Sequence, residues 1–405
     1  MSSTVKEVRV APSRWSDPAF LSLVLLTAIG VVGIAAWIYQ LSQGLIVTGM
    51  RNVVSWGLYI TMFMLFVGMS AGGLVVASAG SVFGADRLKP LSRLAIWVAF
   101  ACVAVAAAFV LPDLGRVERL WHLLVYPQWG SPLTWDLVIV VAYGALCLVY
   151  LWLSFSKDPG RRRLVKSLSY VALPTAIALH TVTAWILGLQ LSRPYWFTGI
   201  LAPLFISSAL VSGLAFLLLV ALALRRLGTY SVTDDIVSWL GGLLSVFIAA
   251  DFFMLASEFV TRAYARVPDQ IGPVELLVSG QFAWVFWGEV MLGVLAFVVL
   301  VIPSGRRSPS LVALASGAAV VSIFLKRLGL ILAGFHDPIV NNAPGISIGQ
   351  VSQTTQVGLP GVSSFAAVGV YAPTWVEYVI ALGWVALCGA VILWGVRSLP
   401  LEEKG

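Results

Sequence analysis

"VVSWGLYITMFMLFVGMSAGGLVVASAGSVF", Val53 to Phe83, runs without one charged side chain. A helix crosses a hydrocarbon core about 30 Å thick with roughly 20 apolar residues. This stretch is therefore long enough to span a bilayer, with a surplus taken up by tilt or by extension beyond the lipid. Its apolar residues form a continuous run instead of alternating, which favours a helix over a barrel strand. A helix also satisfies its own backbone groups where no water can.

The rest of the chain repeats the pattern. Of 405 residues, 60% are hydrophobic and only 11% charged, less than half the share of about 25% usual in soluble proteins. Ten segments are long and apolar enough to span: 20–40, 53–83, 91–112, 134–155, 168–190, 199–224, 236–260, 276–302, 310–334 and 374–396. The fold expected is an all-α integral membrane protein of about ten transmembrane helices, mostly joined by short loops that favour antiparallel neighbours.

Charge gives the orientation, because cytoplasmic loops collect Lys and Arg. Seventeen of the 25 basic residues lie on one side: Lys6, Arg9, Arg14, Arg87, Lys89, Arg93, Lys157, Arg161, Arg162, Arg163, Lys166, Arg225, Arg226, Arg306, Arg307, Arg397 and Lys404. Arg51, Arg116, Arg119, Arg193, Arg262 and Arg266 lie on the other, with Lys326 and Arg327 inside the ninth segment. Both termini are expected in the cytoplasm. The net charge of +7 follows from this bias and implies no nucleic-acid partner. The N-terminal apolar run is too long for a signal peptide and lacks a cleavage site of small residues.

Cys102, Cys147 and Cys388 fall inside apolar segments, and three thiols cannot supply the four ligands of an ordinary iron–sulfur cluster. The histidines, His122, His180 and His336, do not form the paired intramembrane ligands of a b-type haem. No metal, nucleotide or hydrolase motif occurs. One connection is long, a Gly- and Ser-rich stretch from 335 to 373 suited to a lid, a docking surface or a segment without fixed structure. The small residues of "GMSAGG" (Gly68–Gly73) and "SSALVSG" (Ser207–Gly213) permit close helix approach.

An ionisable group within the bilayer costs about 2.5–3.5 kcal/mol on insertion scales and needs an account. His180, Tyr59 and Asp136 are expected at similar depth in the outer half of the membrane, beneath the charged stretch "DLGRVERLW" (Asp113–Trp121). A histidine, a tyrosine and a carboxylate suit the two oxygens and the proton traffic of a quinone headgroup. A second set comprises Asp251 and Glu258, two turns apart on one face, with Glu289, Lys326 and Arg327. Asp251 and Lys326 are expected at equal depth, as an interhelical salt bridge or as part of a proton path.

"SWGLYITMFMLFVGMSAGG", then "DLGRVERLW" followed by "SPLTWD", then "LHTVTAWILGLQLSRPYW" and "APLFISSALVSG" together resemble the polysulfide reductase membrane-anchor family, NrfD/PsrC, over roughly residues 50–225. The resemblance implies two four-helix bundles with flanking helices. Residues 1–52 would be a cytoplasmic N-terminus and flanking helix, 53–190 the first bundle with a quinone site, 191–334 the second bundle, and 335–405 the long outer loop and last helix.

It also implies a multi-pass subunit of a bacterial or archaeal cell membrane that binds quinone, menaquinone above all, without haem or an iron–sulfur cluster of its own. Electrons would pass between the quinone pool and a ferredoxin-like iron–sulfur subunit on the outer face, serving a molybdopterin catalytic subunit or a hydrogenase. The chain would not act alone on the terminal substrate.

Carried over by position, the family's DLGR loop falls on Asp113 to Arg116 and its polar residue after Trp on Asp136, while His180 lies in the region that contributes to the pocket in relatives. With Tyr59, His122 and Trp135 beside them, Asp113, Arg116, Asp136 and His180 are the expected quinone-site residues. Glu118, Asp251, Glu258, Glu289 and Lys326 are the expected proton path. Shorter relatives place a histidine where this chain reads "YITMFMLF", so Tyr59 or His180 would substitute. From the residues alone a secondary transporter is the alternative, with Asp251, Glu289 and Lys326 at a midplane site.

Overall fold

A computed structural model describes residues 17–51, 53–156, 158–336 and 371–402. Ten helices among them are long and apolar enough to cross a membrane: α1 Pro18–Gln43, α2 Leu58–Val82, α3 Ser92–Asp113, α4 Pro132–Ser154, α5 Pro159–Gly188, α6 Leu201–Arg226, α7 Asp234–Ala265, α8 Ala283–Val301, α9 Pro309–His336 and α10 Trp375–Ser398. The protein is an all-α, multi-pass membrane protein. Most of the expected 335–373 connection lies outside the described residues, as do Lys6, Arg9, Arg14, Lys157 and Lys404.

Boundaries move where local chemistry decides them. The second span begins at Leu58 instead of Val53, because Val53 to Gly57 form a loop, with the Arg51 N–H bonding the Val54 carbonyl at 2.9 Å. The fifth begins at Pro159, nine residues before the expected start. Asp158 caps it by accepting from Arg161 N at 3.1 Å, and Arg161 to Lys166 become its first turns instead of a loop. The eighth is divided into a short helix, Pro268–Val278, and α8 proper. His336 closes α9 instead of following it.

In chain order, α2, α3, α4 and α5 each pack on the next, and α5 returns to α2. The helices α6, α7, α8 and α9 close a second ring in the same way, and α2 and α5 pack on α6 to join the two. An α1–α10 pair lies against α3. Of the most apolar stretch of α2, 89% is buried inside the protein, against 22% for α1. The centre of the molecule is therefore α2, and α1 faces lipid.

Small residues set this arrangement. A Cβ on Gly72 of α2 would lie 2.3 Å from the backbone carbon of Gly213 on α6, and one on Gly73 would lie 2.3 Å from the Ala95 carbonyl oxygen of α3. Gly33 and Gly383 meet in the same way between α1 and α10. Backbones approach this closely only where no side chain intervenes.

The end of the molecule that holds the C-termini of α1, α3, α5, α7 and α9 is called the upper end below.

Candidate functional site

Between α2, α3, α4 and α5, toward the upper end, lies a cavity of about 430 Å³. Its walls are apolar side chains such as Ile60, Phe63, Met64, Leu137 and Val140, with three polar residues among them: Asp113, Asp136 and Thr183. Ala104, Ala107 and Leu133 line it yet stay exposed on the protein surface. The space therefore opens sideways between α3 and α4, where acyl chains would be.

Each polar wall residue is placed by its helix. Asp136 sits one turn into α4, after Ser131 and a Pro132 whose missing N–H costs nothing at a helix start. It is 5% exposed, and the Thr183 hydroxyl of α5 donates to its Oδ1 at 2.5 Å. Asp113 ends α3, and its Oδ1 is buried with no hydrogen-bond partner among the described residues. Gly115, at φ +64°, then turns the chain in the left-handed region that glycine enters freely.

The loop around Gly115 closes the cavity with leucines, not with its charges. Leu114, Leu120 and Leu123 line the space. Arg116 and Glu118 pair at 3.3 Å, with side chains 73% and 63% exposed. His122 is exposed, its Nδ1 3.0 Å from the Arg119 carbonyl. Trp135 is 49% exposed and donates to the Trp129 carbonyl at 2.8 Å. These four expected site residues stand at the mouth or on the surface. Around them Trp121, Tyr126 and Trp129, with Leu124, form an exposed and mostly aromatic rim.

Tyr59 and His180 stand behind the walls. Tyr59 is fully buried and donates to Gln40 Oε1 at 2.5 Å, while Gln40 Nε2 donates to the Pro112 carbonyl at 2.7 Å. That chain fixes the backbone immediately before Asp113. His180 is 2% exposed, with Nδ1 2.7 Å from the Ala176 carbonyl. A carbonyl only accepts, so Nδ1 carries the proton and Nε2 is the acceptor. Nε2 has no hydrogen bond among the described residues, although the Val67 carbonyl is near, and the Arg327 charge lies within electrostatic reach.

A neighbouring network ties the upper end together. Glu377 of α10, fully buried, accepts from Gly49 N at 2.6 Å and Thr374 N at 2.9 Å, and Tyr371 donates to its other oxygen. The Tyr371 oxygen accepts from Leu58 N at 2.7 Å. Burial, and then the Glu377 charge, hold the Tyr371 phenol well above the ordinary tyrosine value, so it stays a donor. Asp113 and Tyr59 both feel the Glu377 charge.

The second expected set does converge. Lys326 of α9 lies 2.5 Å from Asp251 of α7 and 3.6 Å from Glu289 of α8. Ser207 of α6 donates to Asp251 Oδ1 at 2.8 Å. Arg327 donates to Ser208 and stacks 3.6 Å from the Phe205 ring centroid. Toward the upper end, Glu258 and Arg262 pair, and Arg262 donates to the Tyr195 carbonyl. Glu118 lies apart from all of these. A cavity of about 60 Å³ runs along this set, and four atoms of its lining residues have no hydrogen-bond partner among the described residues: Glu258 Oε2, Arg262 Nη1, Glu289 Oε1 and Arg327 Nε.

Thr183, Gln40 and Glu377 were not singled out by the sequence, and Ser207 and Ser208 only as small residues that permit close packing. Only Thr183 carried a signal, standing three residues after His180 on the same helix face.

The family described as polysulphide reductase, NrfD, matches residues 46–337. The chain is 36% identical over 401 residues to a putative dimethyl sulfoxide reductase membrane subunit of Halobacterium salinarum, covering 94% of this chain and 91% of that one. It is 27% identical over 356 residues to a selenate reductase subunit of Mesobacillus selenatarsenatis, covering 78% and 83%. With the Hdr-like menaquinol oxidoreductase integral membrane subunit of Archaeoglobus fulgidus it shares 24% identity over 384 residues, covering 94% and 93%.

Proposed function

The chain belongs to the polysulphide reductase NrfD family, and from that premise we propose that it is the haem-free, quinone-binding membrane subunit of a respiratory oxidoreductase complex. It exchanges electrons between the quinone pool and an iron–sulfur subunit seated on the upper end, which faces the outside. The observation that carries this reading is the apolar cavity of about 430 Å³ that opens to lipid and holds the buried Asp136 carboxylate and the buried Oδ1 of Asp113. A lipid-soluble ring needs such a slot with few, well-placed polar groups. The name of the Archaeoglobus relative supports menaquinol as the carrier.

Oxidation of a quinol releases two electrons and two protons. Asp113 Oδ1, buried and without a partner, is the acceptor for a hydroxyl proton. Asp136 takes the second role, with Thr183 holding one of its oxygens and leaving the other for the carrier. Tyr59 and Gln40 are positioning residues that hold the Asp113 backbone. Arg116, Glu118, His122 and Trp135 act at the mouth, beside the aromatic rim over which the iron–sulfur protein docks. The catalytic partner, of molybdopterin type, then determines the terminal substrate.

A second reading applies to α6–α9. Four polar atoms without a hydrogen bond among the described residues, around about 60 Å³, are the setting in which a few ordered waters complete buried hydrogen bonds. Glu258, Glu289, Asp251 and Lys326 would then relay protons into the membrane, with Arg327 bringing the relay toward His180.

The test of the first reading is Asp113→Asn and Asp136→Asn in the assembled complex. Each should lower quinol-dependent turnover by about 10²-fold or more, the usual contribution of a general base. Turnover of the catalytic partner with an artificial soluble electron donor should stay at the wild-type level. Wild-type quinol turnover in both variants would overturn the assignment.

A further inference from the structure

At the lower end, away from the quinone cavity, two spaces meet. One is an apolar groove of about 330 Å³ between α2, α6 and α7, reaching from Phe83 at the membrane surface to Gly72 and Leu210 in its middle. The other is an open, more polar pocket of about 440 Å³ that includes Arg87, Arg306, Asp235 and Ser238. Trp239 and Leu243, one turn apart on α7, belong to the walls of both.

The charges are unbalanced. Arg87 lies over the Trp239 ring at 5.6 Å, and neither its guanidinium nor that of Arg306 forms an ion pair among the described residues. Asp235 is the one carboxylate in the pocket. The lower end therefore presents two guanidiniums, each able to grip a phosphate with parallel N–H donors, above a greasy slot.

The length of the slot fits one leaflet. From Phe83 to Gly72, at about 1.5 Å per helical residue, α2 descends roughly 16 Å, about half of a hydrocarbon core of roughly 30 Å. Phe83 and Val246, on the rim, are 65% and 60% exposed, so the slot is open to lipid along its side.

We propose that this groove binds one anionic glycerophospholipid, its phosphate held by Arg87 and Arg306 and one acyl chain lying along α2 between α6 and α7. Asp235 and Ser238 face the headgroup and can bond hydroxyls beyond the phosphate. The site lies across α2 from the quinone cavity and stands whether or not that cavity binds quinone.

The experiment is native mass spectrometry of the purified complex, titrated with phosphatidylglycerol or with phosphatidylcholine of the same chains. Wild-type complex should retain a phosphatidylglycerol and prefer it to phosphatidylcholine. In the double variant Arg87→Ala/Arg306→Ala its affinity should fall about 25-fold, a factor of roughly five for each cation beside an anionic headgroup. Arg87→Lys/Arg306→Lys should keep most of the binding, which separates lost charge from misfolding. Excess inorganic phosphate should not displace the lipid, because the groove holds its chain. Equal retention of the two lipids, unchanged binding in the double alanine variant, or loss of a co-purified quinone instead of a phospholipid would each overturn the proposal.

Discussion

Thr183 on α5 donates its hydroxyl to Asp136 Oδ1 on α4 at 2.5 Å, with both side chains at most 5% exposed. The bond fixes a carboxylate in a wall that is otherwise mostly apolar. A hydrogen bond to a charged group contributes about 1.5–3 kcal/mol. Thr183→Val should therefore slow quinol oxidation about tenfold or more, less than Asp136→Asn does, and Thr183→Ser should restore it. Steady-state turnover of the whole complex with a soluble quinol measures both.

Asp251 and Lys326 make the opposite kind of pair, one whose value lies in not being broken. Both are less than 10% exposed, and removing one partner of a buried pair strands the other at about 3–5 kcal/mol. Lys326→Met alone should sharply lower the temperature at which the detergent-purified protein loses its fold. Asp251→Leu/Glu289→Leu/Lys326→Met should recover much of the loss, because apolar replacements of a whole buried ionic set are often neutral. If the relay reading holds, that stable triple variant should still pass fewer protons per electron in liposomes.

Gly72 and Gly317 should respond very differently to a methyl group. A Cβ at Gly72 meets the Gly213 backbone at 2.3 Å, whereas a Cβ at Gly317 finds nothing within 4 Å. Gly72→Ala should give little monodisperse protein, and Gly317→Ala should match the wild type in yield by size-exclusion chromatography.

Tyr371 joins α2 to α10 by accepting from Leu58 N and donating to Glu377. Tyr371→Phe strands both groups, at about 1–3 kcal/mol for each one left buried and unpaired. Hydrogen exchange should accelerate in the first turn of α2 and leave α4 unchanged.

Each of the ten spans was legible because a bilayer asks one thing of a helix, some 20 apolar residues in a row. Their ends were less so. The fifth span started late in the sequence reading because Arg161, Arg162 and Arg163 look like loop residues, yet a capping Asp158 and Pro159 make them a first turn. The polar sites divided in the same way. Asp251 and Lys326 could be matched by depth, because helical rise converts sequence position into height. Arg116, Glu118 and His122 could not be told from Asp113, because a loop carries no such ruler. It took tertiary structure to turn Asp113 inward and the other three out. Gln40 and Glu377 stood at opposite ends of the chain, and nothing local announced that the α1–α10 pair brings both to the upper end beside α2.

The crossing of Gly72 and Gly213 has a mechanical consequence. Main chain presses on main chain there, with no side chain to serve as a bearing or to change rotamer, so the two helical rings are welded along that seam. Alternating exposure of a site by rocking one ring against the other would have to prise it open.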